Sequence, residues 1–401
     1  MTTPESAGPE NANAILTVDL AAIAANYRLL AAKLGPIECA AVVKADAYGL
    51  GAAIVAPVLH RAGCRRFFVA TLDEGIALRQ VLGDVDIYVF SGLSVGTPAD
   101  FAAHRLQPVL NSLDEIDRWA AFGRAQEPRP AGLHIDTGMA RLGLPPDEVT
   151  RLGEAPHRLE GVRPTLVMSH LACADEPEHP LNRPQLASFE AALARLQHGT
   201  GIVPGTGSPP VRRSLAASSG IFLGEDYHFD LGRPGAALYG LAPLKDAVNP
   251  MAQVIRLQGR ILQVRDVDTG MTVGYGAAHR FTGPTRLATI GVGYADGYLR
   301  SLSNRGGAYI GEKRAPVVGR VSMDLITVDV TGVPRDVAHP GALVDLIGPK
   351  NPPDTVAGEA GTIGYEILTS LGRRYHRRYV GETGHAPYAA RAVTTADRTI
   401  A

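Results

Sequence analysis

From residue 14 to about residue 245, short runs of β-branched and small apolar residues alternate with amphipathic or alanine-rich stretches. The runs predict strands buried on both faces, and the stretches between them predict helices. The predicted strands cover residues 15–20, 39–43, 67–70, 86–90, 108–110, 132–135, 166–169, 214–217 and 230–232. Strands that alternate with helices are parallel and are joined by right-handed crossovers, as in an open doubly wound sheet or a closed barrel.

The number of these units favours the closed barrel. About eight strand–helix units in roughly 230 residues match the usual size of a (β/α)8 barrel. No Gly-x-Gly-x-x-Gly motif follows the first strand at the required place, which argues against a dinucleotide-binding sheet. We therefore predict an α/β fold with an N-terminal (β/α)8 TIM-type barrel over residues 14–245.

Local signals predict where the helices begin and end. Asp19 is a candidate N-cap for the first helix, and Gly35-Pro36 predicts its end because proline cannot continue a helix. A later helix is expected to open at Thr71, with Glu74 at the spacing of a capping box.

After about residue 241 the pattern changes to alternation of apolar and polar residues. Runs of this kind cover residues 254–257, 260–264, 287–292, 315–318 and 325–330. We predict a second, mostly antiparallel β domain over residues 246–401, with one helical segment at residues 365–374. Residues 1–13 are polar and contain Pro and Gly, and we expect them to form a flexible leader.

Polar residues end several of the predicted barrel strands, and these positions carry the candidate chemistry. They are Lys44, the loop at residues 136–141, His170, Ser218-Ser219 and Arg233. Each alone has a structural explanation, such as a capping serine or a satisfied core histidine. Because the C-terminal ends of barrel strands form one mouth, we expect these side chains to converge there.

Lys44 stands where the apolar run of its strand stops, and spacing alone leaves its role open. A lone lysine in this position usually extends its amine to solvent. A lysine with a lowered pKa is instead a nucleophile that can form a Schiff base. The sequence Val-Val-Lys-Ala-Asp-Ala-Tyr-Gly-Leu-Gly at residues 42–51 resembles the pyridoxal-phosphate (PLP) lysine motif of the alanine racemase family.

Further blocks resemble the same family in the same order along the chain. They lie at residues 273–276, 293–297, 319–324 and 364–366. A tyrosine flanked by glycines is by itself most often a turn, so the resemblance rests on the whole set. It implies a PLP-dependent isomerase that interconverts L-alanine and D-alanine with two bases and supplies D-alanine for peptidoglycan.

The resemblance also implies where PLP binds. Lys44 would carry the cofactor covalently, His170 would support the pyridine ring, and Arg233 would partner the pyridine nitrogen. The phosphate group is expected near residues that offer hydroxyl or backbone N–H donors, namely Tyr48, Ser219, Gly235 and Tyr365. An arginine partner is only a donor, so the pyridine nitrogen is expected to stay unprotonated.

By the same resemblance, Lys44 and Tyr275 are the two bases on opposite faces of the α-carbon. Arg141 and Met323 are expected to contact the amino-acid substrate. The residues expected around or behind the entrance are His134, Asp175, Tyr294, Arg300, Arg320 and Asp324. In the family the tyrosine that matches Tyr275 comes from the partner subunit, as do the residues that match Tyr294, Met323 and Asp324. A homodimer with shared active sites is therefore implied.

One position departs from the family pattern. Many members carry a lysine seven residues before the residue that matches Arg141, and its carbamate orients that arginine; this chain has His134 there. A histidine does not form the same stable anion. The sequence therefore leaves open what holds Arg141.

Composition narrows the remaining classes. With 39 basic and 40 acidic residues the formal net charge is −1, which gives no general attraction for nucleic acid or anionic membranes. No apolar run is long enough to span a bilayer, and the N-terminus lacks the regions of a signal peptide, so we expect a cytoplasmic protein. Cys39, Cys64 and Cys173 fit reduced thiols. No residue spacing indicates a metal site.

Other functions remain open from sequence. A racemase with a broader or different amino-acid preference has the same motifs. A basic-amino-acid decarboxylase shares the barrel-plus-β plan, but Arg233 and the block around Tyr275 favour a racemase. A PLP carrier with a lone barrel has no need of the β domain. A purely structural protein has no need of Lys44, His170, Arg233 and Tyr275 together.

Overall fold

The computed structural model describes residues 8–202 and 210–381. Within these ranges a parallel α/β barrel precedes a mostly antiparallel β domain, so the predicted fold class is confirmed. Parts of two predicted segments, residues 1–7 of the leader and 382–401 of the β domain, lie outside the described residues. No helix in the described part of the chain is long and apolar enough to cross a membrane.

Short strands alternate with helices in the first part of the chain. The strands are β1 (Ala14–Asp19), β2 (Glu38–Cys39), β3 (Ala41–Val42), β4 (Arg66–Val69), β5 (Asp86–Val89), β6 (Gln107–Leu110), β7 (Arg129–His134), β8 (Val162–Met168), β9 (Arg212–Ser214) and β10 (Leu231–Gly232). The helices are α1 (Leu20–Leu34), α2 (Lys44–Tyr48), α3 (Ala52–Arg61), α4 (Leu72–Val81), α5 (Pro98–Ala103), α6 (Leu113–Arg124), α7 (Pro146–Glu154) and α8 (Asn182–Thr200).

The parallel strands close on themselves. Within the described residues, β3 to β9 form one parallel sheet in chain order, and β10 joins its two ends. On one side β10 pairs in parallel with β2, and on the other Arg233 forms a parallel bridge with Ala217 just after β9. The C-terminal ends of the strands therefore share one mouth, with Lys44 directly after β3 and His170 directly after β8.

The β domain follows the barrel in sequence. Its strands are β11 (Ile255–Val267), β12 (Thr272–Val273), β13 (His279–Arg280), β14 (Thr285–Ile290), β15 (Gly307–Ile310), β16 (Lys313–Pro316), β17 (Ile326–Asp329), β18 (Leu343–Ile347) and β19 (His376–Val380). Its helices are α9 (Pro353–Ala360) and α10 (Gly364–Thr369). The helix predicted at residues 365–374 therefore ends earlier, at Thr369. The two strands predicted at residues 254–264 form one continuous strand, because Gly259 between them still pairs with Ala14 of β1.

The first strand corrects our assignment of residues 15–20 to the barrel. β1 pairs antiparallel with β11 and parallel with β19, so it lies inside the sheet of the β domain. A buried strand followed by a helix has the same local pattern in either place, and only its distant pairing partners decide between them. The prediction that Asp19 caps the first helix is confirmed, because its carboxylate accepts from Ala22 N–H at 2.9 Å at the start of α1.

Candidate active site

A strained turn follows Lys44 at the end of β3. The four residues after the lysine, all non-glycine, adopt a left-handed backbone with φ between 53° and 55°: Ala45, Asp46, Ala47 and Tyr48. For L-residues this conformation costs roughly 1–2 kcal/mol each. Such strain persists only where surrounding contacts hold it, and it is concentrated at functional sites.

Glu74 on α4 holds the beginning of this turn. One carboxylate oxygen accepts from Ala45 N–H at 2.7 Å, and the other accepts from Ala70 N–H at 2.8 Å. The sequence predicted Glu74 only as a capping residue, since Thr71 caps α4 by accepting from Glu74 N–H. The carboxylate in fact ties α4 and the end of β4 to the residue next to Lys44.

Strand β19 holds the end of the same turn from the β domain. Arg377 donates to the carbonyl of Gly49 at 2.6 Å, and the Tyr379 hydroxyl donates to the carbonyl of Leu50 at 3.0 Å. Because β19 also pairs with β1, these contacts connect the Lys44 turn to the interior of the β sheet. No local sequence signal predicts them.

Lys44 itself lies half-buried at the mouth, with Nζ 5.9 Å from the centre of the Phe90 ring. Burial lowers the pKa of Lys44, and the positive charge of Arg141 lowers it further, whereas Glu74 acts in the opposite direction. A lowered pKa increases the fraction of neutral amine, which is the nucleophilic form. The environment of Lys44 therefore favours the functional interpretation over a solvent-exposed lysine.

Tyr48, Tyr365 and Gly235 meet beside the Lys44 turn. The Tyr48 ring lies 6.0 Å from that of Tyr365 and 4.7 Å from that of Tyr239, centre to centre. Burial raises the pKa of Tyr48 and of Tyr365, so both are neutral hydroxyl donors near neutral pH. A Cβ on Gly235 would come within 2.5 Å of the Tyr48 hydroxyl, so only glycine lets this hydroxyl approach the backbone of the loop after β10.

Ser218 holds the loop that carries Gly235. Its Oγ accepts from Gly235 N–H at 2.9 Å and from Ala237 N–H at 3.2 Å. Ser219 begins the short 3-10 helix Ser219–Phe222, and its hydroxyl has no hydrogen-bond partner within the residues that the structure describes. The Ser219 hydroxyl is therefore free for its expected role near the phosphate, whereas the Gly235 N–H is taken by Ser218. Ser218 thus has a positioning role that the sequence did not distinguish.

Arg233 is a buried cation at the base of the mouth, only 2% exposed. It donates to the carbonyl of Ser169 at 2.6 Å and to Ser214 Oγ, both neutral acceptors. Burial lowers its pKa to about 9, so it remains protonated near neutral pH. Burial and then the charge of Arg233 lower the pKa of His170 to about 3, so this ring is neutral.

His134 ends β7 and is held by Asn111. Its Nδ1 lies 2.8 Å from Asn111 Oδ1, and the Asn111 amide group donates to the carbonyls of Val109 at 2.8 Å and Phe90 at 3.1 Å. The Asn111 oxygen therefore faces the ring, and Nδ1 of His134 carries the proton. The other ring nitrogen, Nε2, is therefore unprotonated, and it can accept a hydrogen bond from a guanidinium.

Arg141 lies exposed on the loop after β7. The loop keeps its shape through Asp136, whose Oδ1 accepts from three successive backbone N–H groups at 2.9, 3.0 and 3.1 Å. Its far end returns to β7, where Leu144 N–H donates to the carbonyl of His134 at 2.8 Å. Burial and then the charge of Arg233 lower the pKa of His134 to about 4, with a smaller contribution from Arg141. His134 is thus a neutral ring.

The residues expected from a partner subunit lie together on the β domain. Tyr294 N–H donates to the carbonyl of Ser322 at 3.0 Å, and Ala295 N–H donates to that of Met323 at 2.9 Å. Tyr275, Met323 and Tyr294 are 73%, 54% and 42% exposed. Within the described parts of the chain, Tyr275 makes no hydrogen bond or ring contact with the barrel mouth. One chain therefore does not bring Lys44 and Tyr275 together.

The remaining predicted residues divide between the two parts. Arg320 lies against the Tyr275 turn, since a Cβ on Gly276 would be 3.3 Å from its guanidinium. Asp324 accepts from Arg374 at 2.7 Å, and Arg300 begins an exposed turn. Asp175 follows β8 on the barrel, where its negative charge contributes to the raised pKa of Tyr365.

Two family descriptions cover most of the chain. "Alanine racemase, N-terminal domain" matches residues 18–243, and "Alanine racemase, C-terminal domain" matches residues 254–379. The chain belongs to the alanine racemase family.

Similar members of this family align along nearly their whole length. The alanine racemase of Rhodospirillum rubrum is 52% identical over 375 residues, which cover 93% of this chain and 97% of the relative. A relative from Mesorhizobium japonicum, named a catabolic alanine racemase, is 49% identical over 372 residues, covering 92% and 94%. The solved alanine racemase of Bartonella henselae, which has covalently bound pyridoxal phosphate, superposes with a TM-score of 0.86 at 42% identity, covering 92% of this chain and 100% of that one.

The donor set at the mouth fits the PLP of this alanine racemase family. The Tyr48 hydroxyl packs against Gly235, where a side chain would displace it, and the Ser219 hydroxyl has no hydrogen-bond partner in the described residues. Neutral hydroxyls and a nearby cation suit a phosphate and a ring nitrogen, and Lys44 offers the amine. Lys44, Tyr48, Ser219, Tyr365 and Arg233 are thus the residues that would hold the cofactor.

We expect Glu74→Gln to lower the free energy of unfolding by roughly 1–3 kcal/mol and to weaken PLP binding. Glutamine keeps the shape, but its amide turns one acceptor into a donor that faces a backbone N–H, which leaves that N–H without its charged acceptor. Urea unfolding and a PLP titration followed by absorbance measure the two effects. Asp73→Asn, in the same first turn of α4 and exposed, is the control. Equal losses in both variants would show that Glu74 does not hold the turn.

The two neutral histidines predict an acid-sensitive stability. Their folded pKa values of about 4 for His134 and about 3 for His170 lie below the ordinary value of 6.5. Below about pH 6.5 the unfolded chain therefore binds more protons than the folded one, and the free energy of unfolding falls as the pH decreases toward about 4.

Urea unfolding at several pH values between about 7 and about 5 measures this slope, above the range in which most carboxylates titrate. We expect His134→Gln to make the decline shallower and the exposed His157→Gln to leave it unchanged. An identical slope in wild type and His134→Gln would contradict the neutral state of His134.

Proposed function

We propose that this chain is an alanine racemase that interconverts L-alanine and D-alanine with PLP held at the barrel mouth. The observation that carries the proposal is the environment of Lys44. Its amine has a lowered pKa, it begins the left-handed turn that places Tyr48 against Gly235, and it shares the mouth with Arg233. Identity of about half to alanine racemases over more than nine-tenths of the chain supports the same activity.

When bound, PLP supplies the electron sink that makes the α-proton of an amino acid removable. The chain's own residues then decide where protons go. Lys44 removes or returns the proton on one face of the α-carbon, and Tyr275 does so on the other. Arg233 is cationic and only donates hydrogen bonds, so it keeps the pyridine nitrogen of PLP unprotonated. An unprotonated nitrogen makes PLP a weaker electron sink.

Arg141 and Met323 would bind the substrate carboxylate. Arg141 is exposed on a loop fixed by Asp136, and a guanidinium binds a carboxylate with paired N–H groups. Nε2 of His134 is unprotonated because the ring proton is on Nδ1, which donates to Asn111 Oδ1. We propose that this acceptor orients Arg141 in place of the family's carbamate.

The catalytic unit that we propose is a homodimer in which each mouth is completed by the partner's β domain. Support comes from the exposed cluster of Tyr275, Tyr294 and Met323 on a folded surface. Large exposed apolar side chains grouped in this way are typical of protein interfaces. Arg320, next to the Tyr275 turn, would supply the positive charge that helps a phenol act as a base.

The setting of the enzyme is also part of the proposal. Free thiols at all three cysteines agree with a reducing cytoplasm, and D-alanine made there would enter peptidoglycan synthesis. Because one relative is named a catabolic alanine racemase, the breakdown of D-alanine is a second candidate role. A broader amino-acid preference is the alternative for substrate, and comparing rates for L-alanine and L-serine discriminates it.

We expect the wild-type protein to convert L-alanine to D-alanine and Tyr275→Phe to lose roughly two to four orders of magnitude in rate. Phenylalanine fills the same space but cannot exchange a proton. In D2O the variant should still exchange the α-proton of one alanine enantiomer, because Lys44 remains. Mass spectrometry of both enantiomers measures this, with Tyr309→Phe on β15 as the matched control. Undiminished exchange from both enantiomers would remove Tyr275 from the mechanism.

Mixing two inactive variants tests the shared site. Lys44→Ala and Tyr275→Phe each disable every site in their own homodimers. In a mixed dimer one site combines the intact Lys44 of one chain with the intact Tyr275 of the other. After dissociation and reassembly in equal amounts, we expect about one quarter of the wild-type sites to be active. Recovery of no activity, with mixed dimers verified by native mass spectrometry, would contradict shared sites.

A further inference from the structure

A second cavity lies at the end of the barrel opposite Lys44. It has a volume of about 580 Å3 and is bordered by the first residues of four successive strands: Arg66 of β4, Asp86 of β5, Gln107 of β6 and Arg129 of β7. Strand starts and strand ends are at opposite ends of a parallel barrel, so this cavity is separate from the candidate active site. Its volume is in the range of small-molecule sites.

The walls of the cavity are strongly basic. Six arginines line it: Arg65, Arg66, Arg79, Arg105, Arg129 and Arg163. The carboxylates of the lining are Asp84, Asp86 and Glu127, so six positive and three negative charges leave a formal charge of +3. The whole chain has a formal charge of −1, so this positive charge is local to the cavity.

Four of these arginines have no carboxylate within ion-pair distance in the described residues: Arg65, Arg79, Arg105 and Arg163. Arg79 is the best fixed, because its three guanidinium nitrogens donate to four backbone carbonyls at 2.8 to 3.2 Å. Carbonyls orient a guanidinium but do not neutralise it. Burial lowers the pKa of Arg79, and the charge of Arg105 lowers it further. The fold therefore holds these two cations close to each other.

The floor of the cavity is a buried hydrogen-bonded chain. The Tyr88 hydroxyl donates to Thr165 Oγ1 at 3.1 Å, Thr165 donates to Gln107 Oε1 at 2.6 Å, and Gln107 Nε2 donates to Asp86 at 2.9 Å. Tyr88, Thr165 and Gln107 are at most 7% exposed. A polar, rigid floor under unpaired cations favours a charged ligand over an apolar one.

We propose that this cavity binds a small polyanion with phosphate or carboxylate groups, held by Arg79, Arg105 and Arg163. Such a ligand relieves the repulsion among the unpaired cations. Arg105 and Arg163 can offer paired N–H groups to its oxygens, whereas Arg79, four of whose five N–H groups already bind carbonyls, contributes mainly its charge. The site does not depend on the racemase chemistry at the opposite end.

Isothermal titration calorimetry of the PLP-loaded enzyme tests the proposal, because the cofactor then occupies the phosphate-binding residues at the mouth. Sodium pyrophosphate and sodium citrate are the probes, at constant ionic strength. We expect saturable binding of one probe molecule per chain; tighter pyrophosphate binding indicates a phosphorylated ligand, and tighter citrate binding a polycarboxylate. Absence of saturable binding for both probes would overturn the site.

Variants locate the binding. Arg105→Gln with Arg163→Gln replaces two exposed arginines of the cavity, and we expect the Kd to rise at least about tenfold. Arg335→Gln, at an exposed arginine of the β domain, is the matched control and should leave the Kd unchanged. Retained racemase activity verifies that the double variant is folded. Probe binding that the double variant leaves unaltered would place it elsewhere and overturn the proposal.

Discussion

The left-handed turn after Lys44 is the constraint on which the site depends. Four consecutive L-residues with positive φ are unfavourable in isolation, so the turn exists only because its neighbours hold it. Glu74 fixes it from the barrel, and Arg377 and Tyr379 fix it from the β domain. The turn gives the lysine a defined direction and brings Tyr48 to Gly235. One local conformation therefore determines the positions of both the Lys44 amine and the Tyr48 hydroxyl against Gly235.

Burial and the charges at the mouth together explain why neutral histidines surround it. Lys44, Arg141 and Arg233 are positive groups that share one region, and each disfavours a further proton nearby. Burial is the main reason that His134 and His170 remain neutral, and the nearby positive charges reinforce the effect. A mouth built from cations and neutral donors suits a cofactor phosphate and a substrate carboxylate. It also allows Arg233 to remain a protonated donor, which in the proposed function would restrain the electron sink.

Sequence predicted the barrel and the strand-end residues because both follow from local patterns, one strand at a time. Lys44, His170 and Arg233 could be located by the point at which an apolar run stops. The pairing of β1 could not, since its partners β11 and β19 are hundreds of residues away in the chain. Asn111 was missed for a related reason: an asparagine after a strand reads as a turn, and only the fold reveals that its oxygen faces His134.

The position of β1 gives the two parts of the chain a mechanical connection. This strand enters the β sheet between β11 and β19 and then leads directly into α1 of the barrel. Its neighbour β19 carries the two side chains that hold the Lys44 turn. A shift of the sheet against the barrel would therefore move the turn as well as the surface that carries Tyr275. The sheet thus links the Lys44 turn to the surface that carries Tyr275 within the same chain.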